Sequence, residues 1–315
     1  QATTYAVQMK GITKSFGKVT ANQGIDLALK NGEILALLGE NGSGKTTLMN
    51  ILSGIYFPDS GTIQVQGQKV AIRSPRDAYA LGIGMIHQHF RLVETLTAVE
   101  NIVLGLPGGR YVDRKRAEEK VRAISERYRF DLDPRKKIYN MSVSEKQKVE
   151  IIKALYREAK ILILDEPTAV LTPQEAERLF DVLRNMRADG RSIIIITHKL
   201  HEVLTISDRV AVLRKGEHIG TIETADATQE ELTEKMVGRP VSLSIARPEP
   251  RRGEEMLKVV DLTCIGPDRV KVLDRVSFSV HAGEILGVAG ISGSGQRELC
   301  EAIAGLMKIE KGAIL

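Results

Sequence analysis

The chain has 315 residues, of which 43% are hydrophobic and 27% are charged, so it can bury a sizeable core. Its net charge of +5 is mild and only 4% of the residues are aromatic, which gives little support for nucleic-acid binding. No apolar run reaches the roughly 18 residues of a membrane span and no signal-peptide pattern is present, so we expect a cytoplasmic location. Two cysteines, Cys264 and Cys300, are too few for a disulfide framework and lie in apolar stretches, where we expect buried thiols.

Residues 5–72 alternate apolar and polar side chains in short runs such as YAVQMKGI, GIDLAL and GTIQVQG. Turn-forming residues separate these runs at Gly17, at Asn31–Gly32 and at Gly67. A period of two bounded by such turns is typical of strands, so the segment predicts several β-strands.

Residues 34–50, ILALLGENGSGKTTLMN, pass from an apolar run through glycines into a helical pattern. They match GxxxxGK[ST] with a strand before and a helix after, which argues against a simple glycine-rich turn. Lys45 can reach the β- and γ-phosphates of a nucleotide, and the hydroxyl of Thr46 can hold Mg²⁺. We therefore predict a phosphate-binding loop formed by Gly39, Glu40, Asn41, Gly42, Ser43, Gly44, Lys45, Thr46 and Thr47.

Helical patterns follow further along the chain. A helix begins at Ser74–Pro75, another covers Thr97 to Leu104, and a charged surface helix is predicted from Asp113 to Arg129. The segment SVSE, from Ser142 to Glu145, fits a capping box that opens a helix through residue 156.

Apolar strands alternate with helices from residue 161 onward. ILILDE (161–166) and SIIIITH (192–198) read as buried strands, and a helix with a capping box starts at Thr172. A further helix, a strand, a hairpin to residue 223 and a last helix at 228–237 complete the pattern. Such alternation predicts a mostly parallel sheet covered by helices on both faces, closing near Pro240.

Polar side chains stand where three of these predicted strands end. Asp165 can bind Mg²⁺ opposite Thr46, and Glu166 can orient the attacking water. His198 can touch a γ-phosphate, and Gln88, at the end of IGMIHQ, can reach both metal and water. The neighbouring His87 and His89 are interpreted as packing or surface residues.

The C-terminal part repeats the beginning of the chain. Gly39 recurs as Gly290 and Gly61 as Gly312, a constant offset of 251 residues, after a stretch rich in proline and arginine. We therefore expect a first domain at 1–240, a linker at 241–256 and the start of a second domain at 257–315. Because this copy stops at Leu315, we expect the chain to be a piece of a longer protein.

The ordered segments GENGSGKTT, HQHF, MSVSEKQ, ILILDEPTAVLT and ITHK resemble the ATPase domain of ATP-binding cassette (ABC) transporters. The resemblance covers residues 5–240, and the repeat covers 257–315. It implies an α/β P-loop NTPase fold of the ABC ATPase type, in which helices flank a mostly parallel sheet. An N-terminal antiparallel β subdomain and a helical subdomain are implied as well.

The same resemblance implies roles for individual residues. Gln88 would be the glutamine that couples to a membrane subunit, Glu166 the catalytic carboxylate and His198 the switch histidine. Phe16 falls where the family stacks an aromatic ring on adenine, although packing in its turn is an equal alternative. Ser142, in the signature segment, would face the nucleotide of a paired cassette.

Two fused cassettes are most similar to the ATP-binding subunits of bacterial simple-sugar and nucleoside importers, and nucleoside uptake is the closer match. This similarity implies ATP and Mg²⁺ as ligands, membrane permease subunits and a solute-binding protein as partners, and a position on the cytoplasmic face of the membrane. The cassettes would pair within the full-length chain or with another copy. A soluble tandem-cassette ATPase of translation or DNA repair is the alternative, but the linker here is short for it.

Two departures from the family pattern point to asymmetry. The signature, commonly LSGGQ, reads MSVSE here, and in the repeat Gln296 and Arg297 replace the lysine and the Ser/Thr of the phosphate loop. In a head-to-tail pair, the altered signature would meet the altered loop. We therefore hypothesise one competent ATP site and one weak or inactive site.

Overall fold

The computed structural model describes residues 5–88, 90–106, 113–240, 253–266, 269–291 and 293–315. His89 and most of the predicted linker lie outside these ranges. The chain divides into two compact units, Gln1–Leu243 and Ser244–Leu315, which are described separately.

The first unit alternates strands and helices as the sequence predicts. Its strands are β1 (Tyr5–Phe16), β2 (Val19–Lys30), β3 (Ile34–Leu38), β4 (Ser60–Val65), β5 (Gln68–Val70), β6 (Ile83–Ile86), β7 (Ile161–Asp165), β8 (Ser192–Thr197), β9 (Arg209–Arg214) and β10 (Glu217–Glu223). Its helices are α1 (Lys45–Leu52), α2 (Pro75–Ala80), α3 (Ala98–Val103), α4 (Arg114–Arg127), α5 (Val143–Tyr156), α6 (Pro173–Ala188), α7 (Leu200–Ile206) and α8 (Gln229–Val237).

Two sheets organise this unit. An antiparallel sheet has the strand order β2-β1-β4-β5, and a six-stranded sheet has the order β10-β9-β3-β8-β7-β6. In the larger sheet β3 pairs in parallel with both β8 and β9, and only the edge strand β10 is antiparallel. Every residue of β3, β7 and β8 is buried, as expected for strands covered on both faces. The predicted mostly parallel sheet and antiparallel subdomain are confirmed.

Helices α3, α4 and α5 pack together beside the larger sheet around apolar residues such as Val99, Val121 and Val149. The helix starts agree with the sequence pattern. Ser74 caps α2 ahead of a first-turn proline, and capping boxes open α3 at Thr97, α5 and α6. The helical subdomain is therefore confirmed as well.

The second unit contains β11 (Glu255–Ile265), β12 (Lys271–His281), α9 (Gln296–Ile303) and β13 (Lys311–Ile314). Its strand order β12-β11-β13 repeats that of β2-β1-β4. Backbone conformation repeats too, since Gly44 has φ 96° and Gly295 has φ 90°. The internal duplication is thus visible in the fold as well as in the sequence.

The second unit departs from the first at residues 285–289, which correspond to β3 but do not form a strand. β3 is held by β8 and β9, whereas no described strand of the second unit pairs with 285–289, and Ile285 is 98% exposed. The prediction for the cysteines is half right. Cys264 is buried, but Cys300 is exposed because it lies on the outer face of the amphipathic α9.

Among the described residues, no helix is both long enough and apolar enough to cross a membrane.

Two glycines offer a matched test of packing. Gly54 and Gly67 have φ of 77° and 78°, but a Cβ on Gly54 would lie 2.3 Å from the carbonyl oxygen of Ser74, whereas Gly67 faces open space. Gly67→Ala should lower the free energy of unfolding by about 1–2 kcal/mol, the cost of a left-handed alanine. Gly54→Ala should cost about 1–3 kcal/mol more, because the steric overlap is added. Urea unfolding of both variants measures the difference, and equal losses would contradict the proposed crowding.

Candidate functional site

The predicted phosphate loop joins the end of β3 to the start of α1 and depends on glycine. A Cβ on Gly39 would lie 2.3 Å from the carbonyl oxygen of Leu213, and one on Gly44 would lie 2.3 Å from that of Ala21. Gly44 is the N-cap of α1, and no side chain caps this helix. The first amides of α1 therefore remain available to an anion.

Lys45 folds back across this loop. Its Nζ donates to the carbonyl oxygens of Gly39 and Glu40, both at 2.8 Å. Burial lowers the pKa of Lys45, although the nearby Glu166 and Asp165 act in the opposite direction. The ammonium is thus a buried cation at the base of the loop, in the position that the sequence predicts for phosphate binding.

Thr46 and Asp165 meet at the end of β7. The Thr46 hydroxyl donates to Oδ2 of Asp165 at 3.2 Å. Burial raises the pKa of Asp165, while the Thr46 hydrogen bond opposes this shift. No group of three or more His, Cys, Asp or Glu side chains in the described ranges could hold a metal alone. A hydroxyl and a carboxylate fit Mg²⁺, which binds through one or two protein oxygens together with substrate phosphates.

Glu166 stands between Gln88 and His198. Its Oε1 lies 2.9 Å from Nδ1 of His198, and its Oε2 accepts from Nε2 of Gln88 at 3.3 Å. Glu166 has φ 45°, a left-handed conformation that costs free energy in a residue other than glycine. Gln88 and His198, each at the end of another strand, therefore meet around the Glu166 carboxylate, as the sequence predicts.

A cavity of about 550 Å³ opens beside the loop. It is lined by Val19, Thr20, Ala21, Asn41, Gly42, Ser43, Gly44, Lys45, Thr46, Thr47, Gln88, Asp165, Glu166, Lys215 and Gly216. Phe16 is not in this lining. Its half-exposed ring packs edge-on against Tyr56, with centroids 5.1 Å apart, so the packing alternative for Phe16 is present in this conformation.

A buried polar network supports the site and was missed in the sequence. Oε1 of Glu202 accepts from the Thr168 hydroxyl, and Oε2 accepts from the Thr197 hydroxyl at 3.2 Å. Lys199 lies 3.0 Å from the same carboxylate. Glu202 thereby ties the segment after Glu166 to the end of β8. An acid on the buried face of α7 was the signal that could have found it.

Two amides at the start of α5, those of Ser142 and Glu145, are already hydrogen-bonded. The Ser142 hydroxyl accepts from the amide of Glu145 at 3.2 Å, and the Glu145 carboxylate accepts from the amide of Ser142 at 2.8 Å, which confirms the capping box. Glu145 also pairs with Lys136 at 2.6 Å. Burial acts to raise the pKa of Glu145, but these bonds outweigh it and leave the pKa lowered.

The loop at residues 290–297 repeats the glycine positions of the phosphate loop but lacks its lysine and its hydroxyl. The Gln296 amide nitrogen lies 2.6 Å from where a Cβ on Gly290 would stand, whereas the corresponding Lys45 donates to the carbonyl oxygen of Gly39 at 2.8 Å. Arg297 pairs with Glu301 at 2.7 Å, at the position that corresponds to Thr46. Neither an ammonium nor a hydroxyl occupies these two positions.

Residues 22–169 match the family described as ABC transporter. The nucleoside import ATP-binding protein NupA of Lactococcus lactis is 48% identical over 310 residues, covering 98% of this chain and 61% of that protein. The guanosine import ATP-binding protein NupO of Bacillus subtilis is also 48% identical, with the same coverage, and the glucose import ATP-binding protein TsgD13 of Haloferax volcanii is 43% identical over 98% of this chain and 62% of its own. The chain thus spans about three fifths of the length of these relatives.

Solved structures agree with these sequence matches. The ATP-binding cassette MJ1267 of an ABC transporter superposes with a TM-score of 0.69 at 25% identity, covering 76% of this chain and all of that one. Its ADP conformation gives a TM-score of 0.64 at 26% identity, covering 75% and 98%. The order of the motifs, the fold and these relatives lead to one conclusion: the chain belongs to the ATP-binding cassette family of ABC transporters.

Proposed function

We propose that the first unit binds ATP with Mg²⁺ and hydrolyses it to drive solute import. The observation that carries this proposal is the contact of Glu166 with both His198 and Gln88, next to a phosphate loop whose helix start is free. A carboxylate held at this position can orient water for attack on a γ-phosphate. The relatives named as import ATP-binding proteins support the coupling to transport.

Each residue has a defined part in this mechanism. The α1 amides and Lys45 hold the phosphates, since a helix start and a buried ammonium both favour negative charge. Glu166 orients the attacking water, and His198, which contacts Glu166, would also contact the γ-phosphate. Thr46, Asp165 and Gln88 would hold Mg²⁺, which neutralises charge on the phosphates when it is bound.

We further propose that only one of two paired sites hydrolyses ATP. The amides of Ser142 and Glu145 at the start of α5 are already hydrogen-bonded to each other's side chains, so they are not available to a partner's γ-phosphate. The Glu145 carboxylate adds a like charge that opposes phosphate binding. The loop that would face this helix start in a head-to-tail pair has Gln296 and Arg297 in place of a lysine and a hydroxyl. The competent site would combine the first loop with the signature of the second cassette.

The proposed solute is a nucleoside, because two relatives at 48% identity are named for nucleoside and guanosine import. Simple sugars are the second candidate, since other relatives are named for glucose and ribose import. Screening the partner binding protein against nucleosides and sugars by thermal shift would decide between them.

Membrane permease subunits are the proposed partners and place the chain at the cytoplasmic face of the membrane. A cavity of about 110 Å³ near Gln88 offers a docking surface, lined by Ser53, Ile55, Pro75, Ala78, Tyr79, Ile83, Met85, His87, Arg91, Glu150 and Lys153. His87 thus contributes to packing and surface, as the sequence suggests. Co-purification with an apolar multi-span protein supports this assignment, whereas purification without one favours a soluble tandem-cassette ATPase.

Glu166→Gln should keep ATP bound but reduce hydrolysis at least about 100-fold, because an amide cannot polarise water as a carboxylate does. The measurement is phosphate release and ATP retention by the full-length protein assembled with its permease. Glu177→Gln, the same change on an exposed turn of α6, is the control and should leave both unchanged. Hydrolysis by Glu166→Gln at the control rate would reject the assigned role.

Truncating Lys45 in the first phosphate loop, and Gln296 at the corresponding position of the second loop, tests the proposed asymmetry. Lys45→Ala should abolish transport and weaken ATP binding about 10- to 100-fold, since a buried charge-assisted contact is lost. Gln296→Ala should change transport less than about twofold, because no cation is removed. Transport assays in vesicles compare the two variants directly, and a similar loss in both would count against a single competent site.

A further inference from the structure

Asn22 of β2 is fully buried and contacts the phosphate loop directly. Its Nδ2 donates to the carbonyl oxygen of Gly44 at 3.1 Å. The contact is close, since a Cβ on Gly44 would lie 2.6 Å from Nδ2. A buried amide from another strand therefore holds the residue immediately before Lys45.

This hydrogen bond fixes the orientation of one peptide group. The Gly44 carbonyl also accepts from the Leu48 amide at 2.9 Å, so both of its lone pairs are used. Because the peptide between Gly44 and Lys45 is planar and trans, its C=O and N–H point in opposite directions. Holding the carbonyl toward Asn22 and the helix therefore holds the Lys45 N–H toward the open start of α1.

The other end of the Asn22 amide is unsatisfied. Oδ1 is buried and has no hydrogen-bond partner among the described residues. Reversing the amide would place this oxygen against the Gly44 carbonyl, where two acceptors repel each other. A buried acceptor without a donor costs free energy that an apolar side chain would avoid. The bond to Gly44 is thus the only polar contact that this side chain makes in the described residues.

We propose that Asn22 is a positioning residue for phosphate binding. Together with the Leu48 amide, the Asn22 amide holds the peptide between Gly44 and Lys45 and so aims the Lys45 N–H at the phosphate chain of a nucleoside di- or triphosphate. The inference rests on the proposed nucleotide function of the loop. It assigns part of the loop's affinity to a residue outside the GxxxxGK[ST] motif.

Neighbouring backbone bonds keep the loop folded without Asn22. The Gly216 amide donates to the Ser43 carbonyl at 3.2 Å, and the Gln23 amide donates to the Gly216 carbonyl at 2.8 Å. Both bonds survive substitution of the Asn22 side chain. The effect of a substitution should therefore appear in phosphate affinity more than in stability.

The test measures the affinities of inorganic tripolyphosphate and of ATP for the 315-residue chain. Each ligand displaces a fluorescent ATP analogue. Asn22→Leu should weaken both ligands about fivefold, the effect of one lost neutral hydrogen bond. Asn22→Asp should weaken them more, because a carboxylate repels both the Gly44 carbonyl and phosphate. The control is Asn50→Leu, which removes another amide with an unpaired buried oxygen, on α1, and should leave both affinities unchanged.

Unchanged affinities in Asn22→Leu, even with a lower melting temperature, would overturn the inference, because the residue would then be merely structural. A loss for ATP without a loss for tripolyphosphate would also overturn it, since the contact would then serve the base or the ribose. Failure of the unmodified chain to bind either ligand would reject the proposed nucleotide function, and this inference with it.

Discussion

The candidate site depends on parallel strands that end at one edge of the central sheet. β3 leads into the phosphate loop, β6 into Gln88, β7 into Asp165 and Glu166, and β8 into His198. Carboxyl ends of neighbouring parallel strands meet in space although they are far apart in sequence. In the parallel pairing of β7 with β8, Asp165 lies opposite Ile196, and this register brings Glu166 and His198 to 2.9 Å of each other.

Helix N-termini illustrate a second constraint, because each free amide can serve one acceptor at a time. The amides of α1 follow Gly44, which offers no side chain, so an anion can use them. At the start of α5, the capping box already occupies the amides of Ser142 and Glu145. The uncapped start of α1 can thus accept a phosphate. The capping box at α5 stabilises its helix but leaves fewer amides for an anion. The proposed asymmetry between paired cassettes rests on this difference in local chemistry.

Much of the fold was predictable because the β-runs are strongly apolar and the helices carry caps such as Thr97 and Thr172. The sequence also predicted the phosphate loop around Lys45 and the two acids Asp165 and Glu166, because their chemistry requires particular residue types at fixed spacing. Asn22 and Glu202 were not predicted, since a single buried polar side chain has no local pattern and acquires its partners only through tertiary contacts. The failure of residues 285–289 to form a strand has the same origin, because a strand needs neighbours that local sequence does not specify.

The central claim is that the loop of the first unit is the sole competent site of a cassette pair. Counting the ATP molecules hydrolysed in a single turnover of the intact transporter tests this claim most directly. We predict one phosphate released per complex, from the site that contains Lys45 and Glu166. Release of two phosphates per complex would contradict the claim, because the loop at Gln296 would then have to be competent as well.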